Sequence, residues 1–169
     1  SDEGYVLSIG RDTGRDFRTL VQACKKLGVR LKLITLDYLI RDIESPGDCV
    51  EVIQEVSYEE LFKLYSAASV VALPLKKGIS YPSGIRAALE CKLVGKPLVV
   101  TETPVLRELL PESTCTFFAK AEDVEDLSRQ LMSAMHSRVK VDVETHEVKH
   151  FAASLEELGD SLDGILSGL

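Results

Sequence analysis

Two arginines, Arg11 and Arg15, lie in a glycine-bearing turn over residues 10–16. A second small-residue loop, residues 74–84, carries Lys76, Lys77, Gly78, Pro82, Ser83 and Gly84. A guanidinium donates two parallel hydrogen bonds and so matches a phosphate. The spacing predicts a helix over 85–94 directly after the second loop, with Ser83 as its N-cap. Free first-turn N–H groups and the positive end of the helix dipole then make an anion site beside a loop without bulky side chains. Glu90, near the far end of that helix, is a carboxylate placed to accept hydroxyl donors from a ligand whose phosphates lie at the helix start. Plainer roles stand beside each of these. Arg11 and Arg15 neighbour Asp12 and Asp16, and such exposed pairs contribute about 0–1 kcal/mol each. Lys76, Lys77 and Lys96 read as solvated cations. Glu90 taken alone reads as a solvated helix carboxylate.

The elements that must position these residues follow from hydrophobic periodicity. Apolar runs predict strands over 5–9, 29–35, 49–53, 70–73, 98–100 and 115–118. Helical spacing appears over 17–27, where Phe17, Leu20, Val21, Cys24 and Leu27 share a face ended by Gly28. Ser57-Tyr-Glu-Glu60 reads as a capping box opening a helix whose buried stripe is Leu61, Leu64, Tyr65 and Ala68. Residues 37–43 suggest a helical turn, and 104–110 a short helix opened by Pro104. In the helix expected over 123–135, Val124, Leu127, Leu131 and Met135 face inward. A last helix is expected over 151–166.

Strands alternating with helices predict an α/β fold, a Rossmann-like three-layer sandwich with a mostly parallel sheet and helices on both faces. Residues 1–169 are expected to form one such domain. Ligands bind such sheets beyond the carboxyl ends of the strands. The loops after the first, third and fourth strands fall there, and the first and last of them carry glycines and cations.

Composition narrows the function. The chain has 169 residues, 45% hydrophobic and 28% charged, in the range of a globular protein with one real core. A net charge of −7 argues against general nucleic-acid binding. No apolar run reaches the roughly 18 residues of a membrane span, and no signal-peptide pattern opens the sequence. Cys24, Cys49, Cys91 and Cys115 are widely spaced and lie far from His136, His146 and His150. Reduced thiols in a cytoplasmic protein are therefore expected, without a zinc site.

Taken together, the pieces resemble the C-terminal, nucleotide-sugar-binding domain of the group 1 retaining GT-B glycosyltransferases. Val6-Leu-Ser-Ile-Gly-Arg11 resembles that family's first strand and Gly-Arg turn. Residues 60–74 resemble its helix and strand before the donor loop. Ala88-Leu-Glu-Cys-Lys-Leu-Val-Gly-Lys-Pro-Leu-Val-Val-Thr101 resembles its most specific segment, and 151–166 its terminal helix. The resemblance implies that Arg11, Arg15 (where the family usually has Lys), Ser83 and Gly84 hold the donor diphosphate. It implies that Glu90, the second Glu of the family's Glu-x7-Glu motif, binds the ribose. The base is implied near residues 52–56, with Val52, Ile53 and Gln54 as the candidates. The substrate implied is a nucleotide sugar, a UDP- or GDP-sugar, with no obligatory metal or other cofactor.

Two features depart from the pattern. The first Glu of the motif is replaced by Pro82. The chain also resembles only the second half of a two-domain enzyme, so the acceptor would be held by an N-terminal domain, covalent or separate. An exposed apolar patch is expected where that half would sit. The expected function is the donor domain of a hexosyltransferase-type enzyme, cytoplasmic or peripheral to a membrane in its full form. The alternative is a GT-B-like binding or interaction module without catalysis. A phospho-acceptor signalling domain shares the doubly wound sheet, but it would carry an acidic cluster after the first strand, where this chain has its Gly-Arg turn.

Overall fold

The computed structural model describes residues 4–43, 47–79, 81, 83–110 and 115–137. The helix expected over 151–166 and the position of Pro82 lie outside these residues. Six strands form one sheet: β1 (Tyr5–Ile9), β2 (Arg30–Ile34), β3 (Val50–Ile53), β4 (Val70–Leu73), β5 (Leu98–Thr101) and β6 (Thr116–Ala119). The helices are α1 (Phe17–Leu27), α2 (Tyr58–Ala67), α3 (Ile85–Val94), α4 (Pro104–Leu109) and α5 (Val124–His136), and Asp37–Leu39 make a 3-10 turn. The strand order is β3-β2-β1-β4-β5-β6. Every pairing between these strands is parallel. The expected Rossmann-like sheet is therefore observed, and most element ends differ from the sequence reading by a residue or two.

Side chains alternate across a strand, and β4 shows the result. Val71 and Leu73 join one core with Leu61, Tyr65, Ala87, Ala88, Cys91 and Leu106, which come from α2, α3 and α4. Val70 and Ala72 join the other with Phe17, Leu20, Leu127 and Leu131, from α1 and α5. Both faces are covered, so the central strands read as continuous apolar runs rather than as alternating ones. Each fully buried Leu or Val contributes about 1.5–3 kcal/mol relative to exposure.

The helix ends are set by local chemistry. Ser57 and Glu60 form the reciprocal capping box at α2, and Asp16 caps α1 by accepting from the Thr19 N–H. Gly28 closes α1 in the left-handed region, at φ 65°, where a Cβ would be strained. In α2, Leu61, Tyr65 and the following Ala68 are buried as expected, whereas Leu64 is half-buried. In α5, Ala134 is buried in the stripe, and Val124 and Met135 pack at its margin.

The sheet order reverses between β1 and β4. β1 leads into α1 on one face, and β4 leads toward α3 on the other. The loops after these two strands therefore part from each other and leave a crevice at the carboxyl ends. Thr101, at the end of β5, ties the second loop down: its buried Oγ1 accepts the Leu75 N–H at 2.8 Å. Thr101→Val leaves that N–H without its acceptor in a dry site and is expected to lower unfolding stability by about 1–3 kcal/mol. Thr101→Ser, which keeps the hydroxyl, is expected to lose less. Urea denaturation with an unchanged slope is the measurement.

Candidate functional site

The loops after β1 and β4 are joined through their backbones. The Asp16 N–H donates to the Pro74 carbonyl at 3.0 Å, and the Lys76 N–H donates to the Gly14 carbonyl at 2.8 Å. Arg15 and Leu75 thus form an antiparallel bridge. This join carries the Arg15 side chain inward, where the residue is only 7% exposed. Its Nε donates to Asp12 Oδ2 at 3.2 Å. Its Nη1 is buried and has no hydrogen-bond partner among the described residues. Burial lowers the pKa of this guanidinium from its ordinary value, and the nearby Asp12 carboxylate opposes that shift.

Two glycines make room for this cation. A Cβ on Gly10 would lie 2.2 Å from Arg15 Nε, and one on Gly84 would lie 3.0 Å from Nη1. Gly84 also has φ 83° and is the N-cap of α3. Arg15 therefore meets the positive end of a helix dipole, two like-signed partners that together favour an anion between them.

Ser83 corrects the sequence expectation. It is not the N-cap; Gly84 is, and among the described residues no side chain caps α3. The Ser83 hydroxyl instead donates to Asp12 Oδ1 at 2.9 Å, across 71 residues of sequence. Asp12 Oδ1 also accepts the Gly14 N–H at 3.0 Å and the Tyr81 hydroxyl at 3.4 Å. One carboxylate thus fastens both loops and partners Arg15, which pairs with Asp12 and not with Asp16.

Arg11 is exposed, and its Nη2 donates to the backbone carbonyl of Gln54. The base is expected near Val52, Ile53 and Gln54, at the end of β3. Gln54 acts through that carbonyl, while Val52 and Ile53 are held in the sheet opposite Leu33 and Ile34. Val56 and Tyr58 are the residues of this stretch that line the cleft.

The cleft has a volume of about 440 Å3 and is also lined by Arg11, Arg15, Arg86 and Glu90. Glu90 is not a solvated carboxylate. It is 5% exposed and accepts the Tyr65 hydroxyl at 2.8 Å on Oε2 and Arg86 Nε at 3.0 Å on Oε1. Burial, and then the adjacent Glu90 charge, raises the Tyr65 phenol pKa well above its usual value, so it stays protonated and donates. Lys76 and Lys77 are exposed as expected, and the Lys77 backbone N–H donates to Glu122. Lys96 is half-buried, not fully exposed.

The structure thus brings Arg11, Arg15 and Glu90 to one cleft, with Gly84 against Arg15. Sequence reasoning missed Asp12 as the hub, Tyr65 as the buried donor, and Arg86. Only Arg86 left a readable signal, the four-residue spacing to Glu90 that suits a helical ion pair. Among the described residues no group of three or more His, Cys, Asp or Glu is arranged to hold a metal ion. All four cysteines are free of disulfides.

The family model of glycosyl transferases group 1 matches residues 2–150. None of the curated proteins matches the sequence. Among solved structures, the chain is similar to AviGT4, a glycosyltransferase involved in avilamycin A biosynthesis, with 19% identity and TM-score 0.61; the match covers 100% of this chain and 53% of that one. It is similar to HepE from Anabaena, solved with UDP and glucose, with 14% identity and TM-score 0.60, covering 98% and 49%. It is also similar to the C-terminal domain of LpcC, a glycosyl transferase group 1 family protein from Francisella tularensis, with 17% identity and TM-score 0.55, covering 76% and 73%. The chain spans about half the length of AviGT4 and HepE. At these identities the likeness is one of fold.

The buried cation generates a direct test. Inorganic pyrophosphate is expected to raise the Tm of the wild type with concentration, as binding to the folded state requires. Arg15→Gln and Gly84→Ala are each expected to remove that rise. Protection equal to wild type in both variants would place the anion elsewhere.

Proposed function

This chain belongs to the glycosyl transferases group 1, and on that premise we propose that it is the nucleotide-sugar donor half of a retaining, hexosyltransferase-type glycosyltransferase. The observation that carries this reading is the Arg15 guanidinium, buried with Nη1 unpartnered against the start of α3. Arg15, Arg11, the Gly84 turn and the first-turn N–H groups of α3 hold the donor diphosphate. Ser83 acts indirectly, by fixing Asp12 and through it Arg15. Glu90 accepts the ribose hydroxyls, and the base lies toward Val56 and Tyr58.

The chemistry follows from charge. Transfer breaks the bond between the sugar's anomeric carbon and the phosphate oxygen, and the electron pair leaves with the nucleoside diphosphate. Negative charge grows on the phosphate oxygens as the bond lengthens. Guanidinium and N–H donors already aimed at that position stabilise the transition state without reorganising, often the largest single contribution to such catalysis. In this reading the leaving group is neutralised by these fixed cations and dipoles, and no divalent ion is obligatory.

The acceptor is held by another half, N-terminal to this one in the full enzyme. The half-length coverage of AviGT4 and HepE and the match to a C-terminal domain support that placement. Surface chemistry supports it too. Tyr38, Tyr58, Tyr81 and Val105 follow β2, β3, β4 and β5, and each is about half exposed. They form an apolar rim at the carboxyl end of the sheet, where a second half would close over the cleft. Thiols free of disulfides support a reducing, cytoplasmic compartment. No helix among the described residues is long and apolar enough to cross a membrane. Pro82 in place of the family's first Glu favours a second reading, a nucleotide-binding module without turnover.

Calorimetric titration with UDP, GDP and ADP tests the site. One diphosphate is expected to bind, and Arg15→Gln and Glu90→Gln are each expected to weaken it roughly 10-fold or more, the loss typical of a charge-assisted hydrogen bond. A folded protein that binds none of the three overturns the donor-site reading. Turnover of a donor sugar after addition of the acceptor half separates the enzyme from the module.

A further inference from the structure

The Glu90 carboxylate is held by two donors that arrive from different sides. The Tyr65 hydroxyl reaches Oε2 from α2 through the core, and Arg86 Nε reaches Oε1 from one turn earlier on α3. Arg86 on α3 and Tyr58 at the start of α2 both line the cleft. An ordinary helical ion pair at this spacing joins two solvated groups and contributes little. This one is asymmetric: the Glu90 side chain is 6% exposed and that of Arg86 is 52% exposed. A buried carboxylate tolerates poorly the loss of a charged partner, so Arg86 decides how Glu90 is presented.

A carboxylate has about four lone-pair sites. Tyr65 and Arg86 each occupy one, on different oxygens, which leaves one on each oxygen. Both Glu90 and Arg86 line the cleft, so the remaining sites are the acceptors Glu90 has for a ligand there. A pair of adjacent acceptors matches a vicinal cis-diol, the 2′- and 3′-hydroxyls of a ribose. We propose that Arg86 is a positioning and specificity-determining residue, which locks the Glu90 carboxylate so that it selects ribonucleotides over deoxyribonucleotides. This rests on the reading of the cleft as a nucleoside diphosphate site.

The test is calorimetry with UDP, GDP and their 2′-deoxy counterparts on the wild type, Arg86→Ala, Arg86→Lys and Glu90→Gln, each first shown to fold by circular dichroism. For the diphosphate that binds, wild type is expected to prefer the ribo form by roughly 10-fold or more, because the 2′-deoxy form leaves a buried acceptor unpaired. Arg86→Ala is expected to reduce that preference to about 2-fold or less while leaving affinity for the 2′-deoxy form nearly unchanged. Arg86→Lys, which keeps the charge but not the fixed Nε direction, is expected to restore part of it. A purely structural arginine would weaken both forms alike, and that result overturns the inference. So does an Arg86→Ala preference equal to wild type while Glu90→Gln loses it. If Glu90→Gln itself keeps the full ribo preference, the Glu90 ribose contact fails, and the inference falls with it. A folded protein that binds no nucleoside diphosphate overturns both readings.

Discussion

A buried guanidinium between two loops is the constraint on which the site depends. Arg15 must pass under the backbone at Gly10 and end against Gly84, and neither position tolerates a Cβ without displacing it. Such a cation is stable only if its surroundings hold it. Asp12 partners Nε, and the backbone join between the loops fixes the chain on either side. Placing a cation beside the positive end of α3 is unfavourable in isolation. The fold accepts that local cost at one point, and such concentrated strain of charge is characteristic of sites built for a ligand of opposite sign.

The sheet makes that arrangement possible. Because the strand order reverses at β1 and β4, the loops after them diverge to opposite faces and leave their first residues close together. Asp12 then serves as a shared anchor for Gly14, Arg15, Tyr81 and Ser83. Thr101 on β5 fixes the second loop from below. The bonds to Gly14 and Arg15 stay within the first loop, whereas those to Tyr81 and Ser83 join segments 69 and 71 residues apart. Removing Asp12 therefore loosens two loops at once, and cooperativity of this kind is expected where polar groups are buried together.

Glu90, in the same cleft, follows a similar logic with the sign reversed. Glu90 carries negative charge into a place where water is scarce, and Tyr65 and Arg86 supply the donors that make it tolerable. The cleft is thus lined by the guanidinium groups of Arg11, Arg15 and Arg86 and by one carboxylate, that of Glu90. The apolar walls at Val56, Leu61 and Ala87 lie among these groups, and in a low-dielectric setting their charges act more strongly than on an open surface.

The sequence by itself determined the layers, the strands and most of the helix ends. Periodicity and capping residues such as Ser57, Glu60 and Gly28 act within a few residues of themselves, so their effect is written locally. It also marked Arg11, Arg15 and Glu90, because the residue types that bind phosphate and hydroxyl groups are few. It misassigned Ser83, since a serine before a helix caps it unless a stronger acceptor is near. That acceptor, Asp12, is distant in the chain and adjacent only in space. The same holds for Tyr65, which read as one more residue of an apolar stripe until α2 and α3 were packed together. Burial and long-range pairing are properties of the packed chain, and only the tertiary structure decided which polar groups met.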